Sequence, residues 1–279
     1  MFDEIFAVFL ETSKILLMVA LLMVVIEFLE LRFKDQIQKL VTERPVNQII
    51  MAALLGAIPG CMDAFFIVSL YIHGLVGFGA LVAVMLSTAG DEAFIMLTMI
   101  PDAALLIFFI CIILGVVGGF LADRFAKAIN LKTCQPCAIE VHDIDLNFKH
   151  FLKEHVYRHI LRKHIPKLFL WIFFTLLAVD YLVSRFDLAS VISGLSTFTL
   201  IILAALVGII PESGPHLVFL ILYSKGMIPF SVLLVNTLSQ DGHGLLPLLS
   251  YSVKDTIYVQ IFTTLFSLVV GILLFTIGF

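Results

Sequence analysis

Hydrophobic residues along the chain fall into long runs separated by short polar stretches. Each run approaches or exceeds the ~20 residues that an α-helix needs to cross the hydrocarbon core of a bilayer. The pattern therefore predicts an all-α polytopic membrane protein. The runs lie at 6–29, 48–72, 75–100, 103–122, 168–184, 190–223, 226–250 and 256–278.

Two stretches of the chain are copies of the same segment. Residues 50–99 and 202–251 align without a gap at an offset of 152, and 16 of 50 positions are identical. Repeats with broken apolar segments at matching places are typical of secondary transporters whose site lies between two halves. The sequence predicts two inverted-topology repeats of about five helical segments each, with broken or re-entrant helices at the centre. The shared positions include Gly56/Gly208, Pro59/Pro211, Tyr71/Tyr223, Gly74/Gly226, Ser87/Ser239 and Gly90/Gly242.

Composition excludes an ordinary soluble globular domain. Hydrophobic residues make up 61% of the chain and charged residues only 14%, with a mean hydropathy of +1.11, far from soluble averages. The four cysteines are too few and too scattered to suggest a disulfide framework. We expect an N-terminal transmembrane repeat (1–122), a cytoplasmic loop (123–167) and a C-terminal transmembrane repeat (168–279).

Basic residues predict the orientation, because Lys and Arg near helix ends stay on the cytoplasmic side. Of the 17 basic residues, 13 lie between 32 and 44 or between 124 and 167. The chain between these two cytoplasmic loops must cross the bilayer an even number of times. We therefore interpret 75–100, which is interrupted at 88–92, as two half-helices that form either a re-entrant hairpin or two short spans. Both termini are then outside a bacterial inner membrane.

Seven ionisable residues lie in the breaks of these apolar stretches. Ionisable groups at that depth are costly and are functional candidates by default. The alternative is that individual members cap broken helix ends or pair with one another. The seven are Asp63, Asp91, Glu92, Glu212, His216, Asp241 and His243.

The sign of these groups indicates the substrate class. No Lys or Arg occurs from Val46 to Leu121, and the duplicated segment 202–251 holds only Lys225. Carboxylates and imidazoles, with further oxygens from Ser87, Asn236 and Ser239, suit a divalent transition cation. Protons compete with a metal ion for the same lone pairs. The sequence predicts a transporter that is not an enzyme, exchanging a metal substrate for protons and holding no tightly bound cofactor.

The repeats match in backbone-breaking residues but differ in ligands. At the constant offset, Asp91 corresponds to His243 and Ala89 corresponds to Asp241. This asymmetry indicates one central ion site and not two equivalent sites.

These breaks resemble those of a known family. The Gly208–Pro211 break followed by Glu212–His216, the Ser239–Gly242 break, and the first-half counterparts with Asp63 and Gly90–Glu92 resemble the bacterial ten-helix heavy-metal exporters, often labelled manganese transporters or arsenic efflux proteins. The resemblance covers nearly the whole chain. It implies export of a metal or metalloid, with manganese or a zinc-like cation favoured and arsenite less favoured because only one thiol, Cys61, is nearby.

A second resemblance gives an alternative function. The stretch Ser213–His216 after Glu212 is similar to the Ser-Ser-Gly-His segment of undecaprenyl pyrophosphate phosphatases, which would imply a phosphatase or a lipid-phosphate carrier. In this chain Pro215 separates the glycine from the histidine. The breaks also lack the Arg that such an enzyme uses to bind phosphate.

The central loop carries a separate set of candidate ligands. Cys134, Cys137 and His142 have metal-ligand spacing. The alternative is that the loop only forms an interfacial helix against anionic lipid headgroups. We expect the lipid bilayer, metal ions and protons as partners and no nucleic acid, and the pattern leaves a homo-oligomer open.

Overall fold

In the computed structural model, the regular secondary structure of the described residues is helical. The structure describes residues 44–60, 62–72, 74–129, 131, 194–211, 213–242 and 244–278, with short stretches between 5 and 24 and between 156 and 181. From 44 to 131 the helices are α1 (Pro45–Gly56), α2 (Met62–Ile72), α3 (Phe78–Ser87), α4 (Glu92–Met99) and α5 (Pro101–Ala128). From 194 to 278 they are α6 (Thr197–Gly208), α7 (Ser213–Ser224), α8 (Phe230–Ser239), α9 (Leu245–Tyr251) and α10 (Val253–Thr276).

The two sets of five helices follow the 152-residue offset of the sequence. Helices α3 and α8 begin and end at equivalent positions, and so do the ends of α1 and α6. The turns match as well: φ is 71° at Gly74 and 70° at Gly226, and 53° at Gly90 and 56° at Gly242. Glycine adopts this left-handed backbone without a Cβ penalty. The duplicated glycines therefore set the same turns twice.

Helices α1 and α2 form a re-entrant hairpin. The Gln48 side chain near the start of α1 donates to Leu75 O at 3.2 Å and accepts from Gly77 N at 3.2 Å, just beyond the end of α2. The start of α1 and the end of α2 thus lie on the same side. Pro59 and Gly60 break the chain between the two helices. Each helix is about 18 Å long or shorter, about half of the bilayer, so the apolar run at 48–72 does not cross it.

Helices α3 and α4 form a broken span that runs antiparallel to α5. A Cβ built on Gly79 would lie 2.6 Å from Gly119 O, and one built on Gly115 would lie 3.2 Å from the Ser87 Cβ. Ser87 therefore ends α3 near the middle of the 28-residue α5. Ile100 alone joins α4 to the start of α5. Neither arrangement predicted for 75–100 is found: α3 and α4 together form one broken span, and the hairpin lies in the run at 48–72 instead, because the Gln48 contacts hold the start of α1 beside the end of α2.

In a bilayer this order of elements would give an even number of crossings between the two basic loops. The hairpin of α1 and α2 would return to its own side, α3 with α4 would cross, and α5 would cross back. Consistent with this, Ile49 of α1 lies against Gly79 and Gly119 at one end of the bundle. By length and hydropathy, Phe78–Met99, α5 and α10 are each able to span a membrane.

The equivalent helices α5 and α10 run antiparallel to each other. Near the end of α5, the Phe125 ring lies 6.5 Å from Tyr258 and 6.2 Å from Phe262, both in the first half of α10. Earlier in α5, a Cβ on Gly118 would lie 3.5 Å from Phe266. The start of α10 is therefore on the side where α5 ends. This is the relation that inverted-topology repeats require.

Each half completes the hydrophobic core of the other. Phe94 and Met96 of α4 belong to a buried cluster made mainly by the second half. Leu245 and Leu248 of α9 belong to a buried cluster made mainly by the first half. Because the short half-helices pack across the boundary in both directions, the halves are interlocked near the breaks.

Close packing at the end of α1 generates a first prediction. A Cβ on Gly56 would collide with Ser87 Oγ and lie 2.7 Å from Val84 O, and a Cβ on Gly208 would collide with Ser239 Oγ. We expect Gly56→Ala and Gly208→Ala each to destabilise the protein by about 1–3 kcal/mol through overpacking. Thermal denaturation of the detergent-solubilised protein measures this change.

Gly194→Ala is the matched control, because nothing lies within 4 Å of the added Cβ. Equal melting temperatures for all three variants would contradict the packing described here.

Candidate functional site

The two breaks of the first half touch each other. Gly60 N donates to Gly90 O at 3.2 Å, which joins the tip of the hairpin to the break between α3 and α4. The first turn of α2 holds Asp63, and the start of α4 holds Asp91 and Glu92. All three side chains are buried. Three of the predicted carboxylates therefore come from helix starts that lie on adjoining breaks.

The break between α8 and α9 meets this region from the second half. Gln240 Nε2 donates to Glu92 Oε2 at 3.1 Å. A Cβ on Gly242 would lie 4.0 Å from the Thr88 methyl, and one on Gly244 would lie 2.7 Å from the Ala64 Cβ. The inner breaks of the two halves thus lie against each other, where the sequence predicts the central site.

Glu92 is the carboxylate at this junction. Its side chain has zero exposure, and among the described residues only the Gln240 amide donates to it. The second oxygen, Oε1, has no hydrogen-bond partner there. A buried carboxylate with so little compensation is costly unless a cation or proton joins it.

Asp241 is the buried carboxylate in the break between α8 and α9 of the second half. It is 2% exposed, and neither carboxylate oxygen has a hydrogen bond of ordinary geometry within the described part of the chain. The Thr263 side chain of α10 interacts with it. Asp241 is therefore a second buried carboxylate with little compensation from the described residues.

His216 lies in the first turn of α7 with its ring orientation fixed. Its Nε2 lies 3.2 Å from Ile210 O in the break before α7. A carbonyl oxygen can only accept, so Nε2 carries the hydrogen and Nδ1 carries the lone pair of the neutral ring. A metal-binding histidine is commonly held in this way. The neighbouring carbonyl, Ile209 O, accepts from Gln260 Nε2 of α10 at 3.0 Å.

The neutral oxygen ligands predicted near the breaks lie in helices that pack against α1 and α6. Ser87 donates to Ala83 O at 2.9 Å and Ser239 donates to Asn236 O at 3.1 Å. The Asn236 amide donates to Ala204 O at 3.0 Å, and its Oδ1 has no partner among the described residues. The serines thus serve packing in this arrangement, and their ligand role stays a prediction.

Several predicted ligands lie outside the described residues. Within the described ones, no three His, Cys, Asp or Glu side chains are close enough to hold a metal ion. The structure therefore brings together Glu92 and the 240–244 break without forming a complete coordination shell there. The predicted ligands not described are Glu212, His243, Cys134, Cys137 and His142.

Two residues of the site were missed in the sequence. Gln240 bonds Glu92 but is uncharged and was not included among the ligands. Thr263 lies in the middle of the last apolar run, far along the chain from any break. Its signal was its spacing: Thr256, Thr263 and Ser267 recur on one face of that run.

Comparison with known proteins identifies the family. A family model described as "Putative, 10TM heavy-metal exporter" matches the chain over residues 7–179 and 168–278. The chain belongs to this family, which confirms the resemblance found in the breaks. Together with the apolar helices, it makes the chain a membrane protein of a heavy-metal exporter family. No curated protein and no solved structure matches it.

The hydrogen bond between the halves generates the second prediction. Removing one partner of a buried hydrogen bond leaves the other partner unsatisfied, at a cost of about 1–3 kcal/mol. We therefore expect Glu92→Ala and Gln240→Ala each to lower the melting temperature, and the double variant to lose much less than the sum of the two losses.

A remote glutamine provides the control for this cycle. Gln48 bonds the backbone near the turn before α3, so Gln48→Ala with Gln240→Ala should be additive. If the melting-temperature losses of Glu92→Ala and Gln240→Ala were also additive in the double variant, the hydrogen bond between the halves would contribute nothing to stability.

Proposed function

We propose that the protein exports a divalent transition-metal cation, with manganese favoured, across a bacterial inner membrane in exchange for protons. Membership of a heavy-metal exporter family supports metal efflux. The observation that carries the choice of a cation is the junction of the breaks, where Glu92 and Asp241 are buried and each lies in its own stretch without Lys or Arg, 46–121 and 226–253 respectively. An anionic substrate would call for basic ligands there.

The ion would be held by donors from both halves. Glu92 and Asp241 supply oxygens that lack hydrogen bonds within the described residues, and His216 supplies a nitrogen with the tautomer suited to a metal. Asp63 and Asp91 lie at adjoining helix starts. We propose that Glu212 and His243, which border these breaks in the sequence, complete the coordination shell.

Manganese follows from the chemistry of these donors. Carboxylate and carbonyl oxygens suit Mn²⁺, whereas thiolates suit softer ions and metalloids. Near the breaks the sequence offers Cys61 as the thiol. Oxygen donors outnumber sulfur, so arsenite is the less favoured substrate.

Proton exchange follows from competition for the same lone pairs. A carboxylate or imidazole that binds a proton cannot at the same time bind a metal ion. Release of the ion outside would then be assisted by proton binding, and proton release inside would restore the site. According to this proposal, the protein is a transporter that makes no covalent change to its substrate.

Neutralising the buried carboxylates tests the site. We expect Glu92→Gln and Asp241→Asn each to reduce the initial rate of Mn²⁺ flux into proteoliposomes by about tenfold or more, because losing a charged ligand costs at least about 1.4 kcal/mol. Flux is measured with a metal-sensitive dye inside the vesicles, with zinc and arsenite run in parallel.

Asp123→Asn is the control for this series, since Asp123 pairs with Lys127 at 2.7 Å at the exposed end of α5. Its flux should equal that of the unaltered protein. If no ion moves and none binds, the exporter proposal is wrong. If arsenite moves and Mn²⁺ does not, the choice of manganese is wrong.

A proton gradient tests the exchange. We expect the Mn²⁺ flux into the vesicles to rise several-fold when the vesicle interior, where the ion is released, is more acidic than the external medium. The reference is the flux at equal pH on both sides, and the reason is that protons displace the ion from shared ligands. Collapsing the gradient with nigericin should return the flux to the equal-pH rate. Identical rates under all three conditions would exclude proton exchange while leaving metal transport intact.

A further inference from the structure

One close approach between the two halves is lined by apolar residues. A Cβ built on Gly244, just before α9, would lie 2.7 Å from the Ala64 Cβ in α2 and 3.4 Å from the terminal carbon of Met85 in α3. Ala64 and Met85 are buried, so position 244 has no room for a side chain. We call Gly244, Ala64 and Met85 the apolar triad.

Each member of the apolar triad has a charged or polar equivalent in the other half. At the 152-residue offset, all three equivalents are completely buried. Polar groups are costly at this depth, so packing alone does not explain why three neighbours are replaced together. Gly244 corresponds to Glu92, Ala64 to His216, and Met85 to Thr237. We call Glu92, His216 and Thr237 the polar triad.

The inverted fold brings the polar triad together as it does the apolar triad. Because the halves share one backbone path in opposite senses, a contact from α9 to α2 has an image from α4 to α7. The structure has both contacts: α9 packs against α2, and α4 packs against α7. Phe94 of α4 and Leu217 of α7 also belong to one buried cluster. The image of the Gly244–Ala64 approach is therefore Glu92 beside His216.

A hydrogen bond places Thr237 at the same point without using the symmetry. Gln240, which follows α8, donates to Glu92 Oε2 at 3.1 Å. Thr237 lies three residues earlier, on the same face of the last turn of α8. Its hydroxyl donates to Leu233 O at 3.1 Å, and its oxygen keeps a lone pair. The end of α8 therefore presents an amide and a hydroxyl to Glu92.

The donors of the polar triad suit a metal ion. Glu92 Oε1 has no hydrogen-bond partner among the described residues. His216 Nε2 faces Ile210 O, so Nδ1 carries the lone pair of the neutral ring. Gln240 holds the other oxygen of Glu92, which orients the carboxylate. Carboxylate, imidazole and hydroxyl groups together form a set of ligands that accepts Mn²⁺.

We propose that the exported cation is held by Glu92, His216 and Thr237, on one side of the axis that relates the halves, and that the apolar triad closes the equivalent position. This inference rests on the proposed function and locates its site. Asp241, next to Gln240 in the chain, remains a ligand from the same break. Thr237 is a ligand that the charge pattern of the sequence does not reveal.

Disulfide cross-linking tests the placement without relying on transport. Cβ atoms in a disulfide are about 3.5–4.5 Å apart, so Glu92→Cys combined with His216→Cys should cross-link on mild oxidation. Glu92→Cys with Val218→Cys is the matched control and should stay reduced, because Val218 is on the exposed face of α7. Thiols are counted by mass spectrometry after maleimide labelling. The background is full-length protein with alanine at the native cysteines, Cys61, Cys111, Cys134 and Cys137.

Mn²⁺ affinity separates a ligand role of Thr237 from a packing role. Thr237→Val keeps the shape and removes the oxygen, whereas Thr237→Ser keeps the oxygen. Met85→Leu alters the equivalent position of the apolar triad. We expect the Kd for Mn²⁺, measured by titration calorimetry of the full-length protein, to rise about tenfold in Thr237→Val, a loss of about 1.4 kcal/mol. It should be unchanged in Thr237→Ser and Met85→Leu.

A spectroscopic signal tests His216. Pulsed electron paramagnetic resonance of bound Mn²⁺ detects the coupling of a coordinating imidazole nitrogen. We expect this coupling in the unaltered protein, and we expect His216→Leu to lose either the coupling or Mn²⁺ binding itself at equal thermal stability. Nitrogen coupling that persists in His216→Leu would overturn the role of His216.

Each other result overturns a specific part of the proposal. If the cysteines at 92 and 216 stay reduced, or those at 92 and 218 cross-link equally, the placement is wrong, and Mn²⁺ transport by the unaltered protein would keep the exporter function. Similar affinity in Thr237→Val and Thr237→Ser would overturn the role of Thr237. An equal loss in Met85→Leu would overturn the one-sided site. If the unaltered protein neither binds nor transports Mn²⁺, the proposed function is overturned and the site with it, even where the cross-link forms.

Discussion

Broken backbone at the middle of a bilayer must find its hydrogen-bond partners inside the protein, since lipid offers none. This constraint organises the molecule. The hairpin tip at Gly60 bonds the break at Gly90, and the break after α8 bonds Glu92 across the boundary between the halves. Because such breaks must be shielded from lipid, the three breaks at 57–60, 88–91 and 240–244 lie against one another, and Glu92 receives the Gln240 amide where they meet.

Duplication accounts for the matching backbone of the two halves, and different side chains at equivalent positions account for their different chemistry. The left-handed glycines and the half-helices recur at one offset, so the two halves build the same scaffold in opposite senses. The side chains placed on that scaffold differ: Asp241 replaces Ala89 and Thr263 replaces Cys111. On the proposed function, a scaffold with two like halves would thus hold a single ion site.

The sequence predicted the breaks because Gly and Pro act locally on the backbone. It did not identify which apolar run re-enters, since 48–72 is long enough to span and only the Gln48 contacts with the turn before α3 reveal the hairpin. It also missed Gln240 and Thr263, whose importance depends on tertiary neighbours. The ionisable members Asp63, Glu92 and Asp241 could be predicted because charge in an apolar run is itself a signal.

The central claim is that one cation binds where the inner breaks of the two halves meet. Cryo-electron microscopy or anomalous diffraction of the full protein with bound Mn²⁺ tests this claim most directly. The account predicts a single ion between the two halves, within coordination distance of Glu92 and Asp241. An ion bound only in the loop at 123–167, or a Glu92–Gln240 contact that excludes any ion at saturating Mn²⁺, would contradict it.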